Sequence, residues 1–268
     1  MGWLIDDGIG RYSIASRPDS DPDRIWLPNA LVTSAAGETS PIELVRQGQD
    51  AMTLRLFIDL YHEQNLRDDG GINRKITGQK YDRVKVGQQG PYDVWGFHPA
   101  SIYITWVGPA VCHRRDELTN AEKKAGKNPG VEFYRRIEQL VDLGLVEWIA
   151  HLFESGEPDA EIIHAVGSAG SENLEDRIGF AAEEAGLAML AGLAMLNDQQ
   201  HQYVESVGPR LVPVLRHLSN VQMIGIARLR YRPHTKLTAA WWHDLHTSGE
   251  KYLAQYEALV KRIGLLIR

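Results

Sequence analysis

The sequence predicts an α+β protein, and three observations carry that reading. Between Gly130 and Gly167, apolar residues at Phe133, Ile137, Leu140 and Val141 recur at helical spacing, stop before Gly144, and give way to two β-forming runs, LVEWIAHLF and EIIHAV. The polar turn ESGEPD separates the two runs, so they can pair as a hairpin. A further run upstream, VWGFHPASIYITWVG, is apolar on both faces and reads as an internal strand. Beyond residue 170 the pattern turns mainly helical, broken by the strand-like NVQMIGIARLRYR.

The chain of 268 residues is 43% hydrophobic, enough to bury a sizeable core, and its punctuation predicts two domains. An arm occupies residues 1–24, a first domain 25–167 and a mainly helical second domain 171–268, with a β-hairpin in the second and a Gly/Ser linker between them. A single cysteine, Cys112, excludes an internal disulfide framework and fits a reducing compartment. No signal peptide opens the sequence and no run of eighteen apolar residues interrupts it, so the expected address is the cytoplasm, without a membrane partner. The net charge of −6 is sorted unevenly: Arg67 to Arg136 holds thirteen Lys and Arg against eight Asp and Glu, which leaves the rest of the chain strongly acidic. Local phosphate contact with little background stickiness needs such a distribution, although solvated loops also produce it.

Taken in order, residues 1–24 mix Gly, Pro, Ser and Asp with little periodicity. RIWLPNALV is a short extended entry broken by Pro28. Ser40, Pro41 and Glu43 supply an N-cap, a first helical proline and an acid in the first turn, so a short helix begins there and Gly48 separates it from the next. That next helix, 51–66, buries Leu54, Phe57, Ile58 and Tyr61, with Leu56 and Leu60 widening the face. His62 and Glu63 on it lack the second histidine of a zinc-protease helix. A second short helix is expected over 73–81, in a segment carrying Arg74, Lys75, Lys80, Arg83 and Lys85. The loop after the internal strand carries Arg114 and Arg115; His98 and His113 flank the strand without further metal ligands.

Three short helices followed by a hairpin are the parts of a winged helix, and here they come at 51–66, 73–81, 131–143 and 145–167. The run Phe133-Tyr134-Arg135-Arg136, the LVDLGLVEW transition and the EIIHAV return strand carry a resemblance to the winged helix-turn-helix superfamily, as found in prokaryotic regulators and plasmid or phage replication initiators. A long strand and loop are inserted between the second and third helices. The resemblance implies double-stranded DNA as partner, with Tyr134, Arg135 and Arg136 at the groove and the basic residues of the expected second helix on phosphates. Two features depart from it. The insertion is far longer than an ordinary helix connection, and the wing tip, Glu154 to Asp159, is acidic where a phosphate-contacting wing would be basic. Winged helices also serve as protein-protein modules.

In the C-terminal portion the segment DRIGFAAEEAGLAMLAGLAMLNDQQ predicts a small-residue helix for close packing, in the core or at a dimer interface. GLAML occurs there twice, from Gly186 and from Gly192. Arg228, Arg230 and Arg232 alternate with Ala227, Leu229 and Tyr231, giving a strand with one basic face that suits phosphate tracking or pairing with carboxylates. A terminal helix from about Ala239 carries Trp241 and Trp242 as packing residues, and His243 with His246 at a spacing too sparse for a metal site. No phosphate-cradling glycine loop, nucleophile elbow or ligand set appears, so a nonenzymatic, cofactor-free and metal-free protein is expected. The leading reading is a dimeric DNA-binding regulator or a replication or maintenance factor of a mobile element; the alternative is a winged-helix subunit that docks protein partners.

Overall fold

Six antiparallel strands form one curled sheet in the computed structural model, which describes residues 4–6, 12–14, 27–33, 38–65, 71–104, 118–167, 173–191, 210–232 and 236–266. Six α-helices accompany it among the described residues, so the fold class is α+β as expected. Cys112, His113, Arg114, Arg115, the second GLAML copy, most of the Gly/Ser linker and the side chains of Trp241 and Trp242 lie outside the described residues.

Within the expected arm, Leu4–Asp6 (β1) and Tyr12–Ile14 (β2) pair as a small antiparallel hairpin. Ser40 caps Pro41–Gln47 (α1), its Oγ accepting the Glu43 N–H at 3.4 Å. Asp50 caps Ala51–Glu63 (α2) by accepting the N–H groups of Met52 and Thr53, and the helix ends three residues short of the expected limit. Gln64–Asn65 (β3) then pairs with Gly71–Ile72 (β4).

The helix expected over 73–81 is not formed. The Asn73 carbonyl accepts the N–H groups of Ile76 and Thr77 while its side chain accepts that of Lys75, which closes a turn. From it the chain runs extended as Thr77–Gln89 (β5), where Thr77, Val84 and Val86 favour a strand and Gly78 disfavours a helix. The partner decides the matter: Tyr92–Ile104 (β6) pairs with β5 along its length, joined through Gly90 and Pro91. As expected, β6 is internal to the sheet.

Asn120–Lys124 (α3) begins on a reciprocal capping box between Thr119 and Glu122. Pro129–Asp142 (α4) is the expected third helix, and Gly144 closes it in the left-handed region at φ 66°. The Leu145 N–H reaches back to the Leu140 carbonyl at 2.9 Å, and the chain then turns into Val146–Phe153 (β7). Ile162–Val166 (β8) returns antiparallel to it, so the helix-to-hairpin unit is present. With a strand in place of the second helix, the complete winged helix-turn-helix is not.

Leu174–Ala191 (α5), Arg210–Leu215 (β9), Gln222–Leu229 (β10) and Lys236–Leu266 (α6) complete the chain. The separate, mainly helical C-terminal domain is not formed, because β9 and β10 belong to the same sheet as the preceding strands. The order is β8-β7-β10-β5-β6-β9. Nor do β9 and β10 make the expected hairpin: the β5 and β6 pair lies between them. Pro213, which cannot donate to a ladder, sits in the edge strand β9.

The two sheet edges approach one another around α5, which packs against both β8 and β9. Arg210 of β9 donates to the Val166 carbonyl of β8. Ile178, Ala182, Ala185 and Met189 of α5 fill the curl with Leu152, Val212 and Met223 of the sheet, and α6 covers them with Leu253, Tyr256 and Ile263. A second core joins α1, α2 and α4 to the ends of β7 and β10 through Val45, Phe57, Phe133, Leu140, Val146 and Leu229. No described helix is long and apolar enough to cross a membrane.

Candidate functional site

The start of α4 carries a network of charges. Arg136 lies within its packing arc, three residues after Phe133 and four before Leu140, and its side chain is only 2% exposed. Nη2 donates to both oxygens of Glu122 at 2.7 and 2.8 Å, and Nε donates to Asp50 at 3.3 Å. Arg135, 44% exposed, donates to Asp50 at 2.7 Å and to Glu132 at 2.8 Å, while Lys127 pairs with Glu132 at 2.9 Å. Three cations therefore face three carboxylates.

Those cations set the acidity of their partners. Burial alone would raise the Asp50 carboxyl, but hydrogen bonding from Arg135, the charge of Arg136 and the Met52 N–H outweigh it and hold the group down at about 2. Glu132 is held at about 2 by hydrogen bonds from Lys127 and Arg135, against a smaller opposing effect of burial. The network clasps α2, α3 and α4 together. Arg136 in this place has no access to a DNA groove, which corrects its expected role. Tyr134 is half-buried against Phe133 and the second core, and Arg135 keeps an exposed edge.

The expected phosphate contacts meet different fates. Arg74 is buried; its Nη2 donates to the carbonyls of Glu157, Pro158 and Ala160, and its guanidinium lies 4.0 Å from the Phe153 ring centre. It holds the turn between β7 and β8 in shape. Arg83 donates to the carbonyls of Ser219 and Val221 over the Trp95 ring, and Lys85 pairs with Asp93 at 2.8 Å. Lys75 and Lys80 are exposed, with Lys80 5.5 Å from the Tyr103 ring centre.

Arg228, Arg230 and Arg232 do converge, although only Arg228 lies within β10. They line a pocket of about 260 Å³ with Glu147 and Ile149 of β7, the first turn of α5 and His246 of α6. Arg228, 1% exposed, pairs with Glu175 at 2.8 Å, and Arg232 with Glu147 at 3.2 Å. Arg230 is exposed, its N–H bonded to the Leu145 carbonyl beside the α4 terminus. Burial and then the charge of Arg228 push Arg232 down to about 10. The sequence reading found the arginines of both clusters but missed the carboxylates that face them, Asp50, Glu122 and Glu132 at Arg135 and Arg136, and Glu147 and Glu175 at Arg232 and Arg228. For Glu122 a signal existed, since Thr119 and Glu122 have capping-box spacing; for Glu147 and Glu175, which meet their partners only across the fold, there was none. Among the described residues no group of three or more His, Cys, Asp or Glu gathers as a metal site.

No family model matches the chain, and neither the curated proteins nor the solved structures yield a match.

Proposed function

We propose that the chain binds double-stranded DNA without catalysing a reaction, as a dimeric regulator or as a replication or maintenance factor of a mobile element. The observation that carries this reading is the unit made by α4, β7 and β8: an amphipathic helix, a left-handed glycine and an antiparallel hairpin, in the order of a recognition helix and wing. The groove-facing candidates on it are Tyr134 and Arg135, with exposed Lys75 and Lys80 as candidate phosphate contacts. The test is fluorescence anisotropy of a labelled duplex at several salt concentrations. Affinity that falls steeply with salt supports the reading, and Arg135→Ala is expected to weaken it and to make the salt slope shallower by about 1. Absence of binding at low salt removes it.

The second reading is a subunit that docks a protein partner. It is favoured by the balance of charge on α4, where Arg135 already faces Asp50 and Glu132, and by the acids Glu154, Glu157 and Asp159 at the turn of the hairpin. Like charge against a DNA backbone costs energy, whereas a basic protein surface would complement it. A stoichiometric protein partner that persists after nuclease treatment selects this reading.

A further inference from the structure

We propose that the pocket beneath Arg228, Arg230 and Arg232 binds a small oxyanion, a phosphate group being the best fit to its chemistry. The inference goes beyond DNA binding and does not depend on it. Three guanidiniums line the pocket against two carboxylates, Glu147 and Glu175. Arg228 and Arg232 are each held by one of those carboxylates, so both forks are fixed before a ligand arrives. Arg230, whose Nη1 lies beside Gly144, has no carboxylate within pairing distance among the described residues, which leaves one of the three arginines lining the pocket uncompensated.

Two further features favour an anion. The pocket is bounded by the first turn of α5, an eighteen-residue helix whose N-terminal dipole end adds partial positive charge. Arg232 loses proton affinity first through its burial and then through the charge of Arg228, and a bound anion would offset the second of these. At about 260 Å³ the space suits a small molecule carrying a phosphate, and it is a concavity rather than a track along a nucleic-acid backbone. His246 of α6 also lines the pocket, its Nε2 3.7 Å from Glu250.

The same chemistry could come from a free phosphate compound or from a phosphate of bound DNA, and the experiment separates them. Inorganic phosphate is titrated into the full chain by calorimetry in chloride buffer of matched ionic strength, for wild type, Arg230→Gln and Glu147→Gln. Saturable binding is expected, weakened about tenfold or more by Arg230→Gln, since charge-assisted hydrogen bonds to an oxyanion are lost. Glu147→Gln is expected to tighten it by removing an opposing charge. Arg230 is exposed, so its variant should keep the wild-type melting temperature without ligand, which distinguishes a lost site from a lost fold. Absence of phosphate binding to wild type, or equal binding by wild type and Arg230→Gln, overturns the proposal. A labelled duplex is then titrated with and without phosphate. Competition that Arg230→Gln abolishes assigns the pocket to a DNA phosphate; phosphate binding that leaves the duplex untouched, or that occurs where no duplex binds, assigns it to a free small molecule.

Discussion

A guanidinium buried between two carboxylates is hard to remove, because its loss leaves both carboxylates facing each other in a place that water reaches poorly. Arg136 holds Glu122 and Asp50 in this way, and Arg135 alone would remain to offset them. Arg136→Met is therefore expected to lower unfolding stability by about 3–5 kcal/mol. Arg135→Ala, at a half-exposed pair, is expected to cost about 1 kcal/mol or less. Urea denaturation of the two variants checks the contrast, and equal midpoints would show that the clasp is not structural. The side chain's place was partly legible: positions three after Phe133 and four before Leu140 share the packing arc. What the helical pattern hid was the carboxylate pair, since Asp50 reaches α4 from 86 residues away along the chain.

Elements formed as expected where the signal was local. Ser40 and Pro41 mark the start of α1, and Gly144 marks the end of α4, because capping and left-handed geometry depend on neighbouring residues alone. The second helix failed for the opposite reason. Residues 73–81 carry a weak local preference, and pairing with β6 outweighs it through contacts that no local pattern records. The small residues of α5 announced close packing without naming the partners, which prove to be α6, β9 and, at Gly179, the chain just after β8. A Cβ placed on Gly179 would meet the Gly167 carbonyl oxygen at 2.4 Å, and the Gly167 N–H is itself bonded to the Glu175 carbonyl. Gly179→Ala should gain about 1 kcal/mol of helix propensity and lose more by forcing α5 away from β8. A net fall in melting temperature is the expected outcome, and a rise would mean that the two backbones separate at little cost.

At the scale of the molecule, the sheet order could not be read from the sequence, because β9 and β10 are neighbours in the chain yet flank the β5 and β6 pair in space. The Gly/Ser-rich stretch near residue 170 looked like a domain boundary, while the strands beyond it complete the sheet that precedes it. Closing the curl places two histidines in the interior. His151 is pushed down to about 3 by burial and then by the charge of Arg228, and burial pushes His164 down to about 4. Hydrogen bonds to the Ile149 and Ala165 carbonyls and, for His164, to the Tyr256 hydroxyl hold both rings in place. In the unfolded chain a histidine takes up its proton near pH 6.5, so below that pH the unfolded state binds protons that the folded state refuses. Their contribution to stability is whole above about pH 6.5 and is lost as pH falls toward about 4 for His164 and about 3 for His151. The paired carboxylates act in a lower window: Asp50 and Glu132 stabilise above their unfolded values of about 4, and lose that effect only as pH falls through about 2. Between pH 6.5 and 4.5 the histidines should therefore dominate these two contributions. Urea denaturation across that interval is expected to show stability rising with pH at a slope that approaches two protons. A flat profile would mean that one or both rings reach water in the folded protein, and would remove them from the acid-sensitive core.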